Sequence, residues 1–129
     1  MDGSIARSSE DRLIARYFAP LAGPAGLALK DDAALLTPPQ GCDLVVTVDT
    51  VVASVHFFAD DPPASIARKV LGVNLSDLAA KGAEPAGFLL TLALRSADES
   101  FLAPFARALG EDSVAYRCPL LGGDTVSTP

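Results

Sequence analysis

Acidic residues stand at several places where the neighbouring sequence is apolar or glycine-rich, and a carboxylate there needs a physical reason. Asp49 interrupts the run Leu44-Val45-Val46-Thr47-Val48-Asp49-Thr50-Val51-Val52. Burying a lone carboxylate is costly unless it is paired or binds a metal. Thr47 shares its face at strand spacing and offers a hydroxyl or backbone oxygen. A strand end with Asp49 facing water accounts for the pattern equally well. Asp77 lies in Asn74-Leu75-Ser76-Asp77-Leu78-Ala79-Ala80-Lys81. Helical spacing lines Asn74, Asp77 and Lys81 along one side and Leu71, Leu75 and Leu78 along the core side. Taken alone, Asp77 reads first as the i,i+4 partner of Lys81, a weak surface pair. Asp31 and Asp32 are adjacent, and their repulsion is relieved by a cation or by solvent in a turn. Asp124 follows Gly122-Gly123 after an apolar run. Glycines let backbone approach a phosphate, and a carboxylate beside them can hold magnesium. A glycine turn with an Asx-type hydrogen bond explains it as well.

The chemistry these oxygen donors suit is the holding of a hard divalent cation against phosphate. The chain has 129 residues with 16 Asp and Glu against 10 Lys and Arg, a formal net charge of −6. That balance argues against a nucleic-acid backbone partner, which needs clustered cations. An acidic protein that handles phosphate needs a bridging cation, although acidity also serves solubility. The single histidine, His56, sits between Val55 and Phe57. In an apolar run it is more often a hydrogen-bonded core or edge residue than a catalyst. Cys42 and Cys118 are far apart, with no CxxC and no Cys/His cluster, so they read as ordinary thiols rather than zinc ligands. No P-loop, protein-kinase glycine loop, His-Arg-Asp motif or Gly-x-Ser-x-Gly elbow is present.

The elements that must position these residues follow from local pattern. Half the residues are apolar, enough for one packed domain. The N-terminus is polar, and no apolar stretch reaches membrane-spanning length, so a cytoplasmic location is expected with no membrane partner. Residues 1–9 read as a loose tail and 10–129 as the domain. Glu10 to Phe18 reads as a short amphipathic helix with Leu13, Ile14, Tyr17 and Phe18 on one side, ended by Pro20 and Gly23-Pro24. A bent strand is expected within Ala28 to Leu36. Asp43 to Thr50 is the clearest predicted strand, continuing as an extended run from Val51 to Phe58. Asp60-Asp61-Pro62-Pro63 predicts a helix entrance with an Asp cap, and the helix runs from Ala64 to Lys81, stopping at Gly82. A strand over Ala86 to Leu94, a helix from Asp98 to Tyr116 and a strand over Cys118 to Leu121 complete the order. The expected class is α+β, a mixed β-sheet of about four strands with helices packed on one face.

Order and combination add what single residues do not. Leu13-Ile14-Ala15-Arg16-Tyr17-Phe18, Asp31-Asp32-Ala33-Ala34, Thr47-Val48-Asp49-Thr50, Val55-His56-Phe57, Asn74 to Pro85 and Gly122-Gly123-Asp124-Thr125 follow one another along the chain. The series resembles the N-terminal domain of thiamine-monophosphate kinases, from about residue 10 onward. The Asn-Leu-Ser-Asp-Leu-Ala-Ala segment is its most specific piece. The Asp-Asp and Gly-Gly-Asp pieces also occur across the aminoimidazole ribonucleotide synthetase superfamily.

The resemblance implies a fold like the N-terminal domain of that superfamily and ATP-dependent phosphorylation of thiamine monophosphate to thiamine diphosphate. By this analogy transfer is direct and in line, so no catalytic nucleophile is expected from the protein. It implies several magnesium ions, ATP as co-substrate and a homodimer. By matching motif, Asp32, Thr47, Val48 (through its backbone), Asp49, Asp77 and Asp124 are magnesium ligands. His56 contacts thiamine monophosphate, and Gly123 with Asp124 sits against ATP. Asp31 is a secondary ligand candidate, and Asn74 orients the acidic cluster. The sequence departs from the family at Leu29-Lys30, where glycines commonly precede the acidic pair, and at Ser54, where glycine is commoner. The family's C-terminal domain has no counterpart in these residues, so weak or absent turnover is expected of them alone. Two alternatives remain at this stage: another ATP-dependent member of the same superfamily, or a non-catalytic nucleotide- and metal-binding module that dimerises.

Overall fold

A computed structural model describes residues 9–29 and 33–129. The first helix, α1, spans Ser9–Leu13 and continues as a π-helical turn over Ile14–Phe18. The turn closes where the Ala19 N–H donates to the Ile14 carbonyl. Leu13 and Phe18 are five residues apart, a spacing that an α-helix would turn to different sides. The wider turn brings both into the core, at 8% and 3% exposure. The expected helix is therefore present, with a different geometry in its second half. Short 3-10 turns follow at Ala19–Leu21 and Pro24–Leu29.

Helix α2 spans Pro63–Ala80. Pro63 occupies its first turn, as expected, but the expected Asp cap is absent: the cap position is Pro62 and no side chain caps it. Asp61 instead accepts from the Phe58 N–H at 2.9 Å, closing the preceding turn. The C-terminus is a Schellman motif. The Gly82 N–H bonds the Ala79 carbonyl at 2.9 Å and the Ala83 N–H bonds the Leu78 carbonyl at 3.1 Å. Gly82 sits at φ +68°, where a Cβ would be strained.

Strand β1 is Phe88–Leu94, helix α3 is Glu99–Ala115 and strand β2 is Leu120–Ser127. The strands run parallel, from Phe88 opposite Leu120 to Leu94 opposite Ser127, with a register shift between Phe88 and Leu89. A parallel pair needs a crossover, and α3 supplies it. Asp98 caps α3, accepting from the Ser100 N–H at 2.9 Å and its hydroxyl at 2.8 Å. Pro104 lies within α3, in its second turn. Leu102, Phe105, Ala106, Leu109 and Ser113 form the buried stripe of α3 at helical spacing. They pack against Ile66, Ala67 and Leu71 of α2, Phe18 and Leu120. Full burial of a Leu or Phe side chain such as Leu109 or Phe105 contributes about 2 kcal/mol. Outside this core, Arg68 joins the helices, reaching Glu111 at 2.8 Å and also pairing with Asp112. Those carboxylates raise the guanidinium pKa, the Glu111 hydrogen bond most of all.

The sheet differs from the expected one. Among the described residues it has two strands rather than about four. Asp43 to Thr50 is extended but makes no ladder. Of the strand expected within Ala28 to Leu36, Ala28 and Leu29 belong to the 3-10 turn, residues 30–32 lie outside the described residues and Ala33 to Leu36 makes no ladder. The run from Val51 to Phe58 is a turn closed by an isolated bridge between Ala53 and Phe57. A strand exists only where its N–H and C=O groups find a neighbour, which the pattern of one segment does not specify. The apolar side chains that prompted the expectation lie in the open: Val46 is 86% and Val48 85% exposed.

Candidate functional site

The acidic positions fall on three different parts of this framework. Asp77 lies on the last third of α2, and Thr47 and Asp49 lie on the extended segment that passes beside it. The Thr47 hydroxyl and Asp77 Oδ2 are 3.4 Å apart. Asp77 thus takes its contact from the extended segment, not from Lys81 one turn along. Asn74 is half-buried and donates its Nδ2 to the Val70 carbonyl at 2.9 Å, within α2 itself. That bond engages its amide nitrogen with the helix backbone.

Asp124 lies in the middle of β2, opposite Thr91, so it is a strand residue and not part of a glycine turn. Gly123 precedes it at φ +153°, opposite Leu90. A Cβ at Gly123 would sit 1.7 Å from the Leu90 carbonyl oxygen. The glycine is therefore required for the strands to approach, whatever else it does. Asp49, Asp77 and Asp124 are exposed. Asp31 and Asp32 lie outside the described residues.

His56 sits in the turn between the extended segment and α2. Its Nδ1 accepts from the Val52 N–H at 2.9 Å. In a neutral ring this places the proton on Nε2. The Val52 carbonyl accepts from the Val55 and His56 N–H groups at 3.1 and 2.9 Å, and the Ser54 N–H donates to the Phe57 carbonyl at 2.7 Å. Ser54 has φ +65°. That left-handed conformation explains why glycine suits this position in the resembled family. The Lys69 ammonium, from α2, donates to the His56 carbonyl. Sequence reading missed Lys69. The available signal was its place about two helical turns before Asp77.

The donors are all oxygens, which suits magnesium rather than a soft metal. Among the described residues no three of His, Cys, Asp or Glu converge as a metal-binding group. Magnesium commonly takes one or two carboxylates and completes its octahedron with water and substrate phosphate. The Thr47–Asp77 pair, with Asp49 two residues along, fits that mode of binding and not a dedicated all-protein cage.

A parallel βαβ unit and a second long helix define a domain that carries exposed oxygen donors. The chain belongs to the family described as AIR synthase related protein, N-terminal domain, which it matches over residues 30–129. It is similar to the thiamine-monophosphate kinase of Caulobacter vibrioides, 49% identical over 118 residues, covering 89% of this chain and 34% of that protein. It is also similar to the thiamine-monophosphate kinase of Escherichia coli K12, 44% identical over 123 residues, covering 93% of this chain and 38% of that protein. The crystal structure of the thiamine-monophosphate kinase from Stenotrophomonas maltophilia K279a superposes with a TM-score of 0.73 at 42% identity, covering 78% of this chain and 32% of that one. The chain thus spans about a third of the length of the curated relatives it matches. No helix among the described residues is long and apolar enough to cross a membrane.

Proposed function

We propose that this chain is the metal- and phosphate-handling domain of a cytoplasmic kinase that transfers the γ-phosphoryl group of ATP to thiamine monophosphate, giving thiamine diphosphate. The Thr47–Asp77 contact at 3.4 Å is the observation that carries the reading. It joins the most specific motif of the sequence, around Asp77, to the Thr47-Val48-Asp49-Thr50 segment, and the names of the relatives supply the reaction. Residues 10–129 act as one domain; of the expected 1–9 tail, Ser9 begins α1 and residues 1–8 lie outside the described residues.

Phosphoryl transfer needs positioning and charge neutralisation more than covalent help. The acceptor's own phosphate oxygen attacks, so no protein nucleophile is required. Thr47, the Val48 backbone, Asp49, Asp77 and Asp124 hold magnesium, joined by Asp32 and secondarily Asp31. Magnesium held there would supply neutralisation of phosphate charge. Gly123 and Asp124 lie against ATP. His56 presents its Nε2–H to thiamine monophosphate. The apolar side chains exposed along the extended segment, Leu44, Val46 and Val48, support a homodimer in which a second copy covers them.

The test is formation of thiamine diphosphate by the enzyme containing this chain, with ATP, thiamine monophosphate and magnesium. Loss of turnover on chelation and its return with added magnesium are expected. Turnover that survives full chelation would refute the metal reading. The breadth of the matched family keeps a second reading in view, in which the acceptor is a different phosphate or amide. Competition between thiamine monophosphate and other acceptors separates the two. These 129 residues alone are expected to bind nucleotide and metal with little turnover.

A further inference from the structure

The turn carrying His56 is closed by its own backbone, packs Phe57 against the core and has a polar tether to α2 from Lys69. Within the turn, Val52 is the hub. Its N–H donates to His56 Nδ1 and its carbonyl accepts from Val55 and His56. These bonds lie at exposed positions, where water competes for every donor and acceptor. Phe57 anchors the end of the turn in the core, whereas the arrangement around His56, with Ser54 in a left-handed conformation at φ +65°, rests on these exposed bonds. Lys69 supplies a different kind of bond. Its ammonium reaches the His56 carbonyl from the middle of an 18-residue helix whose neighbouring side chains are in the core. That bond is as exposed as the others, but a charge-assisted bond from a fixed element is stronger than the neutral bonds around it. Asp61 secures the other end, accepting from the Phe58 N–H where the turn enters α2.

We infer that Lys69 is a positioning residue: its bond to the His56 carbonyl holds the 52–57 turn in the form that keeps the His56 ring protonated on Nε2, with Nδ1 occupied by Val52. The consequence for activity rests on the proposed contact between His56 and thiamine monophosphate, whereas the tether itself does not. With Lys69 in place, the ring meets substrate as a preorganised donor. Without it, Nδ1 and Nε2 compete for the proton and the donor is available only part of the time.

The experiment compares Lys69→Met with the unaltered enzyme, because Met keeps the alkyl stem and removes the ammonium. In imidazole ¹⁵N spectra the unaltered enzyme should give the pattern of a single Nε2–H tautomer, and Lys69→Met an averaged pattern. Exchange of the Val52 amide should quicken about tenfold, the effect of losing one charge-assisted bond. The KM for thiamine monophosphate should rise by a similar factor, with kcat and the KM for ATP within about twofold. Lys69→Arg should restore most of both signals. An unchanged tautomer pattern and unchanged Val52 exchange in Lys69→Met would overturn the inference. The parent reading has its own control: if His56→Ala leaves the KM for thiamine monophosphate unchanged, the substrate contact falls and the tether is decided by the spectra alone.

Discussion

The Thr47 hydroxyl and the Asp77 carboxylate meet at 3.4 Å although 30 residues of chain separate them. The extended segment has no ladder among the described residues to hold it, so this contact is one of the few that relate it to α2. A hydroxyl and a carboxylate at that distance form a weak hydrogen bond. As two ligands of one cation they would be ordinary neighbours. Asp77→Asn should therefore cost the enzyme about 100-fold or more in kcat/KM, since lost neutralisation of phosphate charge amounts to several kcal/mol. Thermal stability should barely move, because Asp77 is exposed. Thr47→Val should cost less, and the double variant less than the sum, because both act on one site. Undiminished turnover of Asp77→Asn would remove it from the metal site.

The same extended segment carries a prediction about assembly. Val46 is 86% exposed and Val48 85%, with Leu44 at 51%. A second copy covering them would remove this apolar surface from water. Val46→Asp should then weaken dimerisation at least about tenfold, the effect of losing roughly one buried aliphatic side chain. Sedimentation equilibrium of the two forms measures this. Val46 is preferred over Val48, whose backbone is proposed to bind magnesium. An unchanged dimer would move the interface elsewhere.

Gly123 has a packing reason to be glycine that is separate from any role beside ATP. Its missing Cβ would meet the Leu90 carbonyl oxygen at 1.7 Å, and backbone cannot swing away as a side chain can. Gly123→Ala should destabilise the domain by at least about 2 kcal/mol. Gly122→Ala is the matched control, since its Cβ would rest 3.6 Å from Leu89 Cδ2, an ordinary contact. Denaturant melts without nucleotide read the difference. Equal stability of the two variants would reject the close approach of β1 and β2 at this point.

Both long helices were legible in the sequence to within a residue at each end, because periodicity, Pro63 and Gly82 act locally. The strands were less so. Asp43 to Thr50 has the alternation of a strand, but pairing depends on a neighbour that its own residues do not encode. β2 ran further than expected, through Gly-Gly-Asp-Thr, because its parallel partner β1 continues alongside. For the site, composition gave each carboxylate a bland explanation, and only motif order singled out Asp49, Asp77 and Asp124. The meeting of Thr47 with Asp77 was implied by that order and by no spacing. Lys69 carried no signal strong enough to notice, since its contact is to backbone rather than to another motif residue.

The α3 cap gives a pH dependence whose sign is fixed. The Ser100 hydroxyl, and then its N–H, hold the Asp98 carboxyl below its ordinary value of 3.8. A carboxylate with a lowered folded pKa contributes stability that is fully present above the unfolded pKa. That contribution is lost as pH falls through the folded pKa. Asp98→Ala should therefore melt below the unaltered protein at pH 7. The gap should narrow as pH falls below about 4 and through the lowered folded pKa. Comparing the two forms at each pH cancels the other carboxylates, which both forms share. Asp98→Asn should behave differently: it remains a good cap with no charge, so its melting point should follow that of the unaltered protein at low pH and fall modestly below it at pH 7. A gap between Asp98→Ala and the unaltered protein that is constant from pH 7 to pH 3 would show that the carboxylate's charge contributes nothing at this helix end.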